Sequence, residues 1–318
     1  MSLGLSNSEM DTWRRCPRKW YLSTYRRLTP RVGVAPGSAL SIGNLVHDAL
    51  AAYYDHAQSI HPVEYAAASL SLAIQDSPAE EAALTEEYEL VQIMLSGYME
   101  WLEETGADSD LRILGSESMV RVPLRNAQGE EIGITLLSKL DAPIERISDG
   151  AKLALEHKTT DSFSEQTRLE FKINAQFLTE HLARFLDSIE KGATPDEAHA
   201  TCTGVLVNLI RKVKRTAAAK PPFYAREEIH HNIIELRNHW LHVVAKATEI
   251  TQATARLDAG ESHHSVCPPT PIKGLCHWDC QFFRVCHLAD DGSDFEGALD
   301  AVYVEHDPLE RYAGAEEF

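Results

Sequence analysis

The hydrophobic pattern begins with helical segments. Apolar residues recur at helical spacing over 41–54, 63–74 and 84–102, which predicts three helices in the first third of the chain. Before them, Ser6 or Ser8 can cap a helix that runs toward Cys16, and Pro17 interrupts this helix or starts the next turn. Residues 31–38, rich in Gly and Pro, predict a loop.

The pattern then shortens to the alternation typical of strands. Residues 113–124, 132–144 and 152–158 predict a three-stranded meander joined by two turns. Residues 165–186 predict a helix, 203–209 a further strand, and 225–257 one long helix or two. We therefore expect an α/β fold in which helices flank a mixed central sheet. A helical insertion should precede this sheet, and a cysteine cluster should follow it.

Composition adds little to this picture. The chain has 318 residues, of which 44% are hydrophobic and 25% charged, as is usual for soluble globular proteins. No apolar run approaches the ~20 residues needed to span a bilayer, and the first residues do not resemble a signal peptide. We expect a cytoplasmic protein without a membrane partner.

The net charge of −18 argues against a polyanionic partner. The charges are segregated, however: no Lys or Arg occurs between Arg31 and Arg112, and the end of the chain is acidic, as in many disordered tails. Basic residues gather near the N-terminus and again over 211–220. A solvated face is one interpretation. The other is DNA binding, for which the N-terminal candidates are Arg14, Arg15, Arg18 and Lys19.

Carboxylates and a lysine come together near the end of the predicted meander. Glu156 and Lys158 should share one face of their strand while His157 points away, and Asp141 should lie beside them if the two strands pair. Two carboxylates can bind Mg²⁺ or Mn²⁺, which acidifies a bound water, and a nearby lysine can orient or deprotonate that water or stabilise developing charge. The same spacing also fits a surface salt bridge.

Several short motifs extend this pattern over the whole chain. In order they are Cys16-Pro17-Arg18-Lys19-Trp20-Tyr21, Gly43-x3-His47, Leu140-Asp141, Glu156-x-Lys158-Thr159, Gln176, and Cys276, Cys280 and Cys286. Together they resemble the RecB-like branch of the PD-(D/E)XK nuclease superfamily. The similarity is greatest to its iron–sulfur-containing members, the CRISPR-associated and phage exonucleases and the AddB nuclease. The resemblance implies a restriction-endonuclease-like core.

The resemblance also implies roles for individual residues. His47, Asp141, Glu156 and the backbone carbonyl of His157 would hold the metal ion. Lys158 would be the catalytic lysine, and Gln176 would position substrate or this lysine. Two positions depart from the family pattern. Ser138 replaces a glycine three residues before the aspartate, and Glu180 replaces a tyrosine four residues after the glutamine.

Three of the six cysteines lie within eleven residues, which indicates metal ligation, since a reducing cytoplasm disfavours disulfides. The resemblance implies that Cys16 joins Cys276, Cys280 and Cys286 around a [4Fe–4S] cluster, shielded by Trp278, Phe282 and Phe283. Zinc is the alternative, and Cys267 or His287 could replace one ligand. Cys202 should be a buried apolar residue.

We expect one nuclease domain built from successive regions. They are a basic helix with the first cluster cysteine (1–32), a helical region carrying the metal-ligand histidine (33–111), the nuclease core (112–215), a further helical region (216–265), the cysteine cluster (266–288) and an acidic tail (289–318).

The expected activity is metal-dependent hydrolysis of DNA at single-stranded or duplex ends, in phage or bacterial recombination, replication or repair. A helicase, recombinase or other DNA-processing protein is the expected partner. The alternative is a non-catalytic DNA-binding or assembly subunit with a structural iron–sulfur or zinc site.

Overall fold

The computed structural model describes residues 3–33, 35–55 and 59–312. The elements of the first half are β1 (Leu3–Ser6), α1 (Asn7–Arg15), α2 (Pro17–Trp20), β2 (Leu28–Pro30), α3 (Ala39–Tyr54), α4 (Pro62–Asp76), α5 (Glu81–Thr105), β3 (Leu111–Ile113), β4 (Ser118–Arg125), β5 (Glu131–Leu140), β6 (Ala142–Arg146) and β7 (Lys152–Thr160). Those of the second half are α6 (Glu165–Lys172), α7 (Ala175–Glu190), α8 (Pro195–Ala200), β8 (Gly204–Arg211), β9 (Tyr224–His230), α9 (Ile233–Asp258), α10 (His263–Val266), α11 (Leu275–Asp279), α12 (Phe283–Cys286), α13 (Phe295–Val302) and β10 (Tyr303–Glu305).

Side-chain caps set the starts of the helices that matter most for function. The Ser6 hydroxyl accepts a hydrogen bond from the Glu9 N–H (3.2 Å) and begins α1, as predicted. Ser38 caps α3 in the same way, and Asn174 caps α7 through the Gln176 N–H (2.8 Å). Pro17 begins α2. The lack of an N–H costs nothing there, because the first N–H groups of a helix have no hydrogen-bond partner within the helix.

The chain forms two compact units, each assembled from separate segments. The cysteine unit comprises the described residues of Met1–Gly33, Pro123–Leu137 and Asn238–Gly314. The sheet unit comprises the described residues of Val34–Val122 and Ser138–Arg237.

The sheet unit is built on a five-stranded sheet with the order β3-β6-β7-β8-β9. Neighbouring strands are antiparallel, except that β7 and β8 run parallel, with Glu156 opposite Val207 and Lys158 opposite Leu209. The chain between these two parallel strands contains α6, α7 and α8. Apolar residues of α3 and α5, including Val46, Leu50 and Leu95, form one buried core with Leu155 and Leu206 of the sheet.

Two smaller sheets complete the strand pairing. One has the order β1-β5-β4, and β1 runs parallel to β5 with Leu3 opposite Ile134. The other pairs β2 with β10 in antiparallel fashion, with Pro30 opposite Tyr303. None of the described helices combines the length and apolar content that crossing a bilayer requires.

The predicted α/β fold with a mixed sheet is confirmed, but the predicted meander is wrong. Residues 113–124 divide into the end of β3 and most of β4, and residues 132–144 divide between β5 and β6, so each predicted strand serves two different sheets. The chain bends at Asp141, whose carbonyl accepts a hydrogen bond from the Glu117 N–H (2.8 Å). Alternation of apolar residues reports which side chains are buried, not which strand is the partner.

Three helical or unstructured predictions also need correction. The segment 225–257, predicted as helix, begins with strand β9, which pairs with the buried strand β8. The predicted helix 165–186 is interrupted before Asn174, which caps α7. The acidic tail carries α13 and β10, where the buried Leu299 and Tyr303 outweigh the local charge. Residues 313–318 of the predicted tail lie outside the described residues.

Candidate active site

Asp141 is positioned by the junction between two strands. It is the single residue between β5 and β6, and β6 pairs with β7 so that Ala142 lies opposite Leu155. The next residue of β7 is Glu156, which this pairing places beside Asp141. Asp141 Oδ2 accepts a hydrogen bond from the backbone N–H of His157 (2.8 Å), which fixes this carboxylate against β7.

Strand alternation places Glu156 and Lys158 on one face of β7. Lys158 Nζ donates a hydrogen bond to Glu156 Oε1 (2.6 Å). Gln176, in the first turn of α7, joins this pair: its Nε2 donates to Glu156 Oε1 (2.6 Å), and its Oε1 accepts from Lys158 Nζ (3.0 Å). The structure therefore brings together three of the residues that the sequence selected.

Helix α3 supplies the fourth side chain. His47 Nδ1 lies 3.1 Å from Asp141 Oδ2, although about a hundred residues separate the two in the sequence. The ring of His157 is instead buried, accepts a hydrogen bond at Nδ1 from Asn208 Nδ2 (3.0 Å) and stacks on Tyr54. Burial lowers the pKa of His157 to about 3. Its imidazole is therefore neutral and occupied elsewhere, which leaves the backbone carbonyl as the candidate ligand.

Charge is unevenly balanced in this cluster. Burial raises the pKa of Glu156, and the charge of Asp141 adds to this effect. Burial also disfavours ionisation of Asp141, but the neighbouring His47, His157 and Lys158 hold its pKa below the usual value.

A third carboxyl group, Glu180, is buried one helical turn after Gln176. Its pKa lies well above the usual value because of burial and the nearby Glu156. Sequence analysis noted Glu180 only as a departure from the family pattern and gave it no role. The signal was its spacing of four residues from Gln176, which places both side chains on one helix face.

The donor set suits a divalent metal ion. Carboxylate oxygens and an imidazole are ligands of Mn²⁺ and Mg²⁺. The cluster contains the carboxyl groups of Asp141, Glu156 and Glu180 but only one ammonium group in the described residues, that of Lys158. In the described part of the chain, no three His, Cys, Asp or Glu side chains are close enough to share a metal ion. His47 and Asp141 are bonded to each other and Glu156 to Lys158, so metal binding requires these contacts to open.

Comparison with known proteins decides the family. A sequence model described as the PD-(D/E)XK nuclease superfamily matches residues 4–287. The chain belongs to this superfamily. No curated protein matches the sequence significantly. The matched region contains the candidate active-site residues of this nuclease: His47, Asp141, Glu156, Lys158 and Gln176. It also contains the four cysteines predicted to form a cluster.

These four cysteines line one cavity of the cysteine unit. Its volume is about 550 Å³, and its walls include Cys16, Cys276, Cys280 and Cys286. All four are free thiols. The sulfur of Cys16 accepts a hydrogen bond from the Thr270 N–H (3.4 Å), and that of Cys276 accepts one from the Ile272 N–H (3.3 Å).

Other residues proposed for this cavity are placed differently. Cys267 is fully buried and is not among the lining residues, whereas His287 is one of them. Of the expected aromatic shield, Phe282 is buried but Trp278 is 86% exposed, so its indole shields nothing. Cys202 is fully buried, as expected.

The basic N-terminal residues divide into two groups. Arg14, Arg15 and Lys19 retain exposed surface, and their ion pairs are with Asp11 and Asp279. Arg18 differs, because its guanidinium group is buried and makes two hydrogen bonds to the Asp290 carboxylate (2.5 and 2.9 Å). The expected contact of Arg18 with DNA is therefore not supported, since this side chain already holds the segment after the last cysteine.

Proposed function

We propose that this nuclease is a Mn²⁺- or Mg²⁺-dependent exonuclease that hydrolyses phosphodiester bonds at DNA ends. The observation that carries the proposal is the convergence of His47, Asp141, Glu156, Lys158 and Gln176 at one edge of β7. His47 is distant in sequence from the other four residues, and the chemistry of the five matches metal-assisted phosphodiester hydrolysis.

His47, Asp141, Glu156 and the carbonyl of His157 would hold the metal ion. When bound, the ion supplies an acidified water and neutralises charge on the phosphoryl oxygens. Lys158 has three N–H donors, and the structure engages two of them with the acceptors Glu156 and Gln176. The third remains to orient the water or to stabilise a phosphate oxygen, which favours these roles over proton abstraction.

DNA would be held by basic residues as well as by the metal ion. Arg14, Arg15 and Lys19 are the candidates that keep exposed surface, and each can contact phosphates without reading sequence. Action in recombination, replication or repair, with a helicase or recombinase as partner, is the setting that suits digestion of DNA ends.

We further propose a [4Fe–4S] cluster in the cysteine cavity. Four free thiols line the space, and Arg15, Arg18 and Lys19 also line it, which suits a cluster with net negative charge. Because no three of these thiols lie close enough to share a metal ion in the described residues, cluster binding would have to draw them together. Its role would be structural, since it would join the N-terminal segment to the C-terminal cysteines. Iron, sulfide and zinc analysis of protein purified without oxygen tests this proposal. Stoichiometric zinc without iron would show that the cavity holds a zinc site instead of the cluster.

The test of the nuclease proposal is digestion of end-labelled single-stranded, duplex and circular DNA with Mn²⁺ and with Mg²⁺. We expect loss of linear DNA from its ends, resistance of circular DNA, and no digestion after chelation of the metal. The variants Lys158→Ala and Asp141→Ala should lose most of their activity. Cleavage of circles would make the protein an endonuclease, and DNA binding without digestion would favour a non-catalytic DNA-binding subunit.

A further inference from the structure

Glu180 is a buried carboxylate beside the candidate active site. Its side chain is 3% exposed, and Oε1 accepts a hydrogen bond from Gln176 Nε2 (2.8 Å). Oε2 is buried and, among the described residues, has no hydrogen-bond partner. Such a group costs folding free energy, because burial removes its hydration without full replacement. A residue kept only for stability would not be expected to have this arrangement.

The neighbouring amide of Gln176 is fully used. Its Nε2 donates to Glu156 (2.6 Å) and to Glu180 (2.8 Å), and its Oε1 accepts from Lys158 (3.0 Å). A rotation of the amide by half a turn would place NH₂ against the Lys158 ammonium group and the carbonyl oxygen against the Glu156 carboxylate. Both contacts would then be repulsive.

We propose that Glu180 is a positioning residue, which holds the Gln176 amide in the one orientation that aligns Lys158 and Glu156. The inference rests on the nuclease function proposed above.

The geometry explains why an acceptor is needed there. Without Glu180, one N–H of Gln176 loses its partner, and the side chain is held only by its contacts with Lys158 and Glu156. The amide would then move more freely, and Lys158 would lose its second acceptor for part of the time. The expected consequence is a lower turnover rate with little change in DNA binding.

Four variants test the inference: Glu180→Ala, Glu180→Gln, Gln176→Ala and the double variant Glu180→Ala/Gln176→Ala. Loss of one hydrogen bond should lower kcat of Glu180→Ala about tenfold, with KM almost unchanged. Glu180→Gln keeps an acceptor oxygen and should retain kcat within about threefold of the wild type. Because Glu180 acts through Gln176, the double variant should be no slower than Gln176→Ala alone.

Two further measurements separate positioning from a structural role. The melting temperature of Glu180→Ala should not fall, since the substitution removes a buried carboxylate with an unpartnered oxygen. The side-chain amide resonances of Gln176 in a ¹⁵N–¹H spectrum should shift in Glu180→Ala and stay close to wild type in Glu180→Gln. If Glu180→Ala does not fold, Glu180→Leu fills the space without an acceptor and takes its place.

The outcomes are distinct. Wild-type kcat in Glu180→Ala, equal losses in the Ala and Gln variants, or multiplicative losses in the double variant would each overturn the inference while leaving the proposed function intact. A wild-type protein that digests no DNA with either metal would instead disprove the proposed function, and this inference with it. Lys158→Ala, assayed in parallel, shows that the measured digestion comes from this site.

Discussion

The candidate active site and the cysteine cavity differ in how their reactive side chains are bonded in the structure. At the active site, the charged groups are already bonded to one another: His47 to Asp141, and Lys158 to Glu156 and Gln176. In the cysteine cavity, four free thiols surround an open space, and the sulfurs of Cys16 and Cys276 accept hydrogen bonds from backbone N–H groups.

This difference separates chemistry from stability. The active-site groups are already bonded to one another without any ligand, so a substitution there should affect the reaction first. The four thiols of the cavity form no disulfide with one another. What fills it should stabilise the cysteine unit, because a ligand that binds only the folded state adds its binding free energy to folding.

The largest expected effect is at Lys158. Lys158→Ala removes the only ammonium group hydrogen-bonded to Glu156 in the described residues, and we expect kcat to fall on the order of a hundred- to a thousandfold. Because the substitution leaves Glu156 buried without its ammonium partner, the melting temperature should also fall, while the variant stays folded at the assay temperature. Steady-state digestion of labelled DNA and thermal unfolding measure the two quantities. The exposed Lys172→Ala on α6 is the control, and equal activity of both variants would contradict the assignment.

The next effect is at the cysteines. Cys280→Ser should lose bound iron and lower the free energy of unfolding by about 3 kcal/mol, since tight binding to the folded state stabilises by this amount or more. Iron analysis and thermal unfolding under nitrogen check this expectation. Cys202→Ala, in the core of the sheet unit and not among the residues that line the cavity, should keep its iron. Unchanged iron content in Cys280→Ser would remove this cysteine from the ligand set.

A smaller effect concerns a buried carboxyl group in the cysteine unit. Burial raises the pKa of Glu9 from 4.5 to about 7, although its Oε1 accepts a hydrogen bond from Trp20 Nε1 (3.0 Å). The folded state thus binds the Glu9 proton more tightly than the unfolded state. The resulting stabilisation is complete below pH 4.5 and is lost as the pH rises through about 7.

Glu9→Gln removes this titration while keeping an acceptor for Trp20. We therefore expect the variant to be more stable than the wild type at pH 8, by roughly 2 kcal/mol, and equally stable at pH 4. Urea unfolding at both pH values measures the difference. The exposed Glu305→Gln serves as a matched control, and a difference of the same size at pH 4 would argue that titration is not the cause.

The smallest effect is expected at the exposed basic residues. Arg14→Gln should weaken DNA binding a few-fold at low salt and reduce the slope of log affinity against log salt concentration by about one. Fluorescence anisotropy over a salt series measures both. Lys191→Gln, in the sheet unit after α7, is the control. An unchanged salt slope would exclude Arg14 from contact with phosphate.

Sequence analysis predicted the local features well. Ser6 and Pro17 begin the first two helices, the helices over 41–54, 63–74 and 84–102 are present, and Glu156 and Lys158 share a face of β7. Caps, helical spacing and strand alternation depend on residues only a few positions apart, so the sequence displays them directly.

The sequence alone did not predict which strands pair or which charged side chains bond to one another. Neither Asp141 as the bend between two sheets, nor β9 in place of a helix, nor the pairing of Arg18 with Asp290 follows from any nearby pattern. The hydrogen bonds of Glu180 also became visible only with α7 packed beside β7.

By itself, the sequence selected the candidate residues for the chemistry, and it determined which of them share a face and which cysteines stand close together along the chain. The tertiary structure alone decided which strands are neighbours, which charges are buried in pairs, and which groups remain exposed to a substrate. The physical reason is distance along the chain. Short-range conformational preferences act within a few residues, whereas burial and charge pairing depend on contacts between segments that the fold brings together.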